Sequence, residues 1–280
     1  TAGVFLLALL FLHCRPQNPT LIRSSKTTFA FDASKSALTI TSPGQRIPLM
    51  MDAYHQAAGF ERKSMTWIPD AQQPTRRSVF ADAQRRTLLC TETFAATPGG
   101  LSWQVEWSTP EINPFTAPLQ TVCLLAGQDS TARFWTSWGD PTQVEPVDHA
   151  IKIHKQWVDP LKPQPLRDLH LVYGGHKSLG GGFCLPAFTV LYPQQNVAWS
   201  LVQSPQDTLL NMDLKTSAQG RFEFNRTDLR LSRNRSVRHT LSLIVHEADW
   251  RAGLSWIVER YPDYFNPPNP NAGRVAGCGL

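Results

Sequence analysis

Residues Leu101-Ser102-Trp103-Gln104-Val105-Glu106-Trp107-Ser108 alternate large apolar and polar side chains with a period of two. Successive side chains of a strand point to opposite faces, so this stretch predicts a strand that buries Leu101, Trp103, Val105 and Trp107 on one side. Shorter versions of the pattern occur upstream at 27–31, 38–41, 79–82 and 87–94. Downstream they occur at 121–125, 132–137, 169–173, 183–192, 197–203, 209–214, 221–225 and 237–246. Most are bounded by Gly, Pro, Asn or Asp, the residues that punctuate strands. A run of strands without amphipathic helices between them excludes the parallel α/β alternation and predicts an all-β, antiparallel sandwich. No repeat that would indicate a propeller or solenoid is visible.

The rest of the composition agrees. The 280 residues suffice for a large core, 41% of them are apolar and 18% charged, which excludes a disordered chain. Twenty-two prolines and seventeen glycines, spread along the chain, exclude a helical bundle because proline interrupts helix interiors.

The net charge of +5 is concentrated between residues 221 and 238, where six arginines face only Glu223 and Asp228. Such a cluster attracts anions, but no nucleic-acid motif accompanies it, and charged strands are also a defence against edge pairing. No nucleic-acid partner is expected. Gly3 to Leu12 is an apolar run too short to cross a bilayer, which needs roughly 20 helical residues. Followed by His13, Cys14, Arg15 and Pro16, it reads as the remnant of a secretory signal over 1–15, so an extracellular location without stable membrane insertion is expected. The sequons at Asn225 and Asn234 fit a secreted glycoprotein. The five cysteines have no metal-site spacing. Without Cys14, the other four allow three pairings or serve as buried thiols.

Chemistry is sparse. There is no GxSxG elbow and no HExxH helix. Gly174-Gly175-His176-Lys177-Ser178 lacks the glycine spacing of a phosphate loop and joins two predicted strands, so a hairpin loop is expected. His246 and Glu247 are candidates for acid–base work, but neighbours on a strand point to opposite faces; capping the strand and starting a helix is the simpler role. Trp135, Trp138 and Asp140 form the one suggestive ligand feature, because a sugar lays its C–H face on an aromatic ring while its hydroxyls take polar partners. No catalytic residue, metal ligand or cofactor is assigned.

After residue 247 the period changes. Asp249 is a suitable N-cap, and Trp250, Leu254, Ile257, Val258 and Tyr261 fall on one helical face until Pro262 stops the helix. Asn266-Pro267-Pro268-Asn269-Pro270-Asn271 then reads as a stiff linker. The segment His246-Glu247-Ala248-Asp249-Trp250-Arg251-Ala252-Gly253-Leu254-Ser255-Trp256, followed by Glu259-Arg260-Tyr261-Pro262-Asp263-Tyr264-Phe265-Asn266-Pro267-Pro268, resembles a junction in large secreted glycoside hydrolases. These hydrolases are similar to endo-α-N-acetylgalactosaminidases, and the junction joins a β-supersandwich to a catalytic (β/α)8 barrel. Pro186 to Leu191, Trp199-Ser200-Leu201-Val202 and Arg230-Leu231 also look like that supersandwich, whose fold is similar to galactose mutarotase.

The resemblance implies a supersandwich over 16–247, a linker helix over 248–265 and a linker over 266–280 into a barrel carrying the catalytic residues. The expected role is that of a non-catalytic, carbohydrate-associated domain that packs on the barrel and holds glycan or a glycoprotein substrate. A stand-alone lectin-like module, or a mutarotase- or lyase-like sugar enzyme, are the alternatives.

Overall fold

The computed structural model describes residues 20–32, 37–42, 45–55, 60–70, 73–117, 119–125, 131–136, 142–147, 150–155, 163–173, 181–182, 185–207, 212–226 and 230–266. Two nine-stranded sheets dominate it. The first runs, in spatial order, Thr20–Ser24, Thr27–Asp32, Ala37–Ser42, Gln45–His55, Leu119–Leu125, Arg221–Arg226, Met212–Thr216, Leu169–Tyr173 and Gly181–Gly182. The second runs Gln164–Pro165, Arg133–Thr136, Ala187–Tyr192, Val197–Gln203, Val237–His246, Gly100–Ser108, Thr87–Thr97, Thr75–Ala81 and Glu61–Ile68. Every pairing in both sheets is antiparallel except Leu171–Val172 with Gly181–Gly182.

The alternation at 101–108 is realised as expected. Leu101, Trp103, Val105 and Trp107 are each no more than 1% exposed, while Ser102, Gln104, Glu106 and Ser108 are half-buried on the opposite face. The buried set meets residues of the first sheet, and rings from both sheets interlock: Phe31 lies 4.6 Å from Phe94, and Phe188 stacks on Phe222 at 4.8 Å. Offset aromatic pairs of this kind add to the burial of apolar area that holds two sheets together. Cys90 is a buried thiol of this core. Cys14, Cys184 and Cys278 lie outside the described residues.

A buried ion pair interrupts the core. Arg76 and Glu92, directly opposite on adjacent strands, form a bidentate pair at 2.5 and 2.6 Å, and the Trp103 Nε1–H donates to the same carboxylate at 3.2 Å. Their side chains are 4% and 0% exposed. A carboxylate out of water needs this many partners, since unpaired burial of a charge costs several kcal/mol.

The second sheet's free edge, Glu61–Ile68, exposes Glu61, Arg62, Lys63 and Ser64, and its register shifts between Arg62 and Ser64. The opposite edge is only the two residues Gln164–Pro165. A single α-helix among the described residues, Trp250–Arg260, follows the last strand, and a 3₁₀ turn at Pro262–Tyr264 succeeds it. Asp249 caps it as expected, accepting from the Arg251 N–H at 3.0 Å. Val258 departs from the expected stripe: it is 45% exposed, and Gly253 takes a place on the buried face. At roughly 100° per residue Val258 lies a quarter turn beyond Ile257, and the seat is too narrow to cover both. No described helix is long and apolar enough to cross a membrane.

Candidate functional site

The helix seat follows from two strands that are buried along their whole length. In Ala187–Tyr192 and Val197–Gln203, alternation sends Phe188, Val190, Trp199 and Leu201 to the core between the sheets. The alternate residues reach the outer face, where the helix covers them. Ala187, Val202 and Ile244 pack with Ile257 and Tyr261. Trp135, Leu191 and Ala198 pack beside Trp250 and Leu254, and the Trp135 and Trp250 rings stack at 4.7 Å.

Between these apolar patches lies a line of three polar side chains. The Thr189 and Ser200 hydroxyls, directly opposite across two strands, are 2.7 Å apart, and Ser200 Oγ is 2.8 Å from His246 Nε2 on the next strand. The other ring nitrogen, Nδ1, is 2.7 Å from the Glu247 carbonyl. A carbonyl only accepts, so Nδ1 carries the proton and donates. In the neutral ring Nε2 then accepts from Ser200, and Ser200 in turn accepts from Thr189. Burial, which disfavours the charged ring, holds His246 below its usual range, against the opposing pull of the Glu247 carbonyl and the Asp249 carboxylate. Asp249 itself is held low chiefly by its hydrogen bond from the Arg251 side chain.

A serine hydrogen-bonded to histidine has the donor geometry of an activated nucleophile. Here Gly253 forecloses that chemistry. Ser200 is 1% exposed, and a Cβ on Gly253 would overlap its Oγ, so the helix backbone rests directly on the hydroxyl. The line of hydrogen bonds satisfies polar atoms in the helix seat; it does not open onto a substrate.

His246 has a second aspect. It lines a cleft of about 510 Å³ at the end of the sandwich, between the turns of both sheets. From the first sheet come the Ser25–Lys26 hairpin turn and Ser42; from the second come Gly99 and Gln195–Asn196, with Val197 and Val245 behind them. Three of these residues have left-handed backbones: Ser25 (φ 51°), Asn196 (φ 48°) and Gly99 (φ 77°). Asn196 Oδ1 accepts from the Ala248 N–H at 3.4 Å, and Ser24 Oγ donates to the Thr97 carbonyl at 2.5 Å, so the turns are tied to one another and to the start of the helix. Glu247 lines the same cleft as His246. The opposite-face rule applies along a ladder, and here the strand ends at His246 and the chain turns, with the Asp249 N–H donating to the Glu247 carbonyl at 2.6 Å.

The remaining candidate residues fall as follows. Trp135 is 3% exposed and its ring faces Trp250, so it is a packing residue of the helix seat and offers no open face to a sugar. Trp138 and Asp140 lie outside the described residues, as do 174–180 of the glycine-rich loop. Asn225 sits on a strand hydrogen-bonded on both sides, and Asn234 is exposed in the turn between Ser232 and Arg235. The arginines do not share one face: Arg221 pairs with Glu223 on the first sheet, while Arg238 pairs with Glu106 on the second at 3.1 Å. Among the described residues no three His, Cys, Asp or Glu side chains are grouped to hold a metal. Sequence reasoning missed Thr189, Ser200, Gly253, Ser25 and Asn196. The available signals were a serine inside an apolar run and a glycine inside a helical stripe.

The sequence matches no family profile and no curated protein. Solved structures do resemble the fold. An aldose epimerase homologue from C. elegans aligns with a TM-score of 0.55 at 9% identity, over 82% of this chain and 99% of its own. An Escherichia coli K12 protein provisionally assigned as an aldose 1-epimerase aligns with a TM-score of 0.53 at 10% identity, over 82% and 99%. An α-N-acetylgalactosaminidase from Bifidobacterium bifidum aligns over 86% of this chain and 39% of its own, at 14% identity and a TM-score of 0.46. At such identities the likeness is one of fold: the chain has a galactose-mutarotase-like β-sandwich.

Proposed function

We propose that this galactose-mutarotase-like sandwich is a non-catalytic, carbohydrate-associated domain of a secreted glycoside hydrolase, acting on a glycan or glycoprotein together with a catalytic barrel of the same protein. The observation that carries this reading is the seating of the Trp250–Arg260 helix. Gly253 rests on Ser200, and Trp250, Leu254, Ile257 and Tyr261 key into the outer face of the second sheet. A helix held at so many points leaves the sandwich in a fixed direction and gives whatever is attached to it a fixed orientation. The same contact covers the hydroxyl nearest to an imidazole, which suits a positioning role better than a hydrolytic one. The wording of residues 246–268 supports the same assignment.

Two measurements test it. The 280-residue chain is expected to leave p-nitrophenyl glycosides intact and to leave the mutarotation rate of galactose at its spontaneous value in polarimetry; turnover of either kind would overturn the non-catalytic role. The reading frame beyond Leu280 is expected to continue with alternating strand and helix patterns and carboxylates at strand ends. A stop codon close to Leu280 would sink the hydrolase assignment.

A further inference from the structure

The end cleft has a lining that the helix seat does not explain. Ser25 occupies the first central position of the two-residue turn between Ser24 and Thr27, with φ 51°. In tight hairpins with a left-handed first residue glycine is preferred there, because a side chain costs free energy in that conformation. Asn196 takes a similar backbone after the Pro193–Gln195 turn. A non-glycine residue held left-handed is a mark of functional sites; Ser25 is one, Asn196 adopts the conformation as the cap of its turn, and both are exposed at one cleft.

The chemistry of the lining is specific. Ser25 and Ser42 supply hydroxyls, each able to donate and accept. Asn196 spends its Oδ1 on the Ala248 N–H, which leaves its amide nitrogen to donate. Lys26 donates and Glu247 accepts, and their charges cancel, while His246 is neutral near pH 7. A lone lysine balanced by a carboxylate does not favour an anion, and a lone carboxylate does not make a cation site. Mixed donors and acceptors over the apolar floor of Val197 and Val245 match a ligand that carries many hydroxyls on a partly apolar ring. The volume of about 510 Å³ is that of a small-molecule pocket.

We propose that the cleft between the Ser25–Lys26 and Gln195–Asn196 turns binds a neutral sugar of one or two rings. The proposal rests on the carbohydrate-associated reading above and assigns it a place. The test is calorimetric titration of the 280-residue chain with galactose, N-acetylgalactosamine, lactose and sodium sulfate, repeated on Ser25→Gly and Glu247→Gln. Ser25→Gly relieves a left-handed backbone while deleting a hydroxyl and is expected to melt at or above the wild-type temperature; Glu247→Gln keeps the carbonyl that His246 uses and loses only a charge near the helix start, so it is expected to melt within a few degrees of wild type. The expected result is saturable binding of at least one sugar, weakened roughly fivefold in each variant, as for loss of one hydrogen bond. Sugar binding unchanged in both variants would overturn the cleft assignment and leave the carbohydrate reading standing. Absence of binding to all three sugars would overturn both. Sulfate bound in preference to sugar would make the cleft an anion site and overturn the proposal.

Discussion

Two buried polar clusters lie on opposite faces of the same sheet, and they are built on different principles. Inside the sandwich, Arg76, Glu92 and Trp103 form an ionic group with a bidentate geometry. Outside it, Thr189, Ser200 and His246 form a neutral line whose direction is set by one imidazole proton. The ionic cluster tolerates no vacancy, because either partner alone is a charge without water. The neutral line depends on proton position and on close packing. The interior of the sandwich is thus held by paired charge, while its helix is held by close packing over a neutral polar line.

Perturbing each cluster in turn sharpens the contrast, starting with the largest effect. Glu92→Ala leaves the Arg76 charge buried and is expected to lower unfolding free energy by about 3–5 kcal/mol in urea titrations. The double replacement Arg76→Met with Glu92→Leu is expected to recover most of that loss; failure to do so would show that the pair does more than satisfy itself. Gly253→Ala drives a methyl group into the Ser200 hydroxyl, and the expected loss is about 1–3 kcal/mol. Much of it is expected to return when Ser200→Gly makes room. Asp249→Ala removes the helix cap and is expected to cost about 1 kcal/mol, with fraying of the first helical turn visible in amide exchange.

The smallest effect is a pH dependence. The folded pKa of His246 lies below the ordinary 6.5, so as pH falls the unfolded chain takes up its proton first. The contribution of the neutral ring is therefore complete above pH 6.5 and is lost progressively as pH drops through the lower folded value. Thermal melts between pH 8 and 5 are expected to show this decline, and His246→Gln to flatten it. An unaltered slope in the variant would place the titration elsewhere.

Strand alternation made much of the architecture legible. The patterns at 101–108, 197–203 and 237–246 each became strands because one or both faces meet apolar neighbours. Gln45–His55, Glu61–Ile68 and the hairpin of Thr142–Val147 with Ala150–Lys155 escaped notice. In Glu61–Ile68 the reason is physical: the first four residues of this edge strand are all exposed, and only Met65 and Trp67 turn inward, too few to impose a period. The helix was readable from Asp249 and its stripe, yet its seat was not. Which residue of a stripe touches the sheet depends on a glycine meeting a serine over fifty residues away in sequence, and nothing local encodes that meeting. Trp135 shows the converse error. A tryptophan close in sequence to a second tryptophan and an aspartate reads as a sugar platform until the helix that covers it is in place.

The edge of the second sheet has an implication for how molecules of this protein meet one another. Glu61, Arg62 and Lys63 are exposed, and the shifted register beside them interrupts the run of N–H and C=O groups that another strand would need. At the other edge, Pro165 lacks an N–H to offer and the strand is two residues long. A sheet finished in this way resists growth by strand addition at both of its edges, which closes this sheet to the ribbon-like pairing that a broad, flat sheet invites.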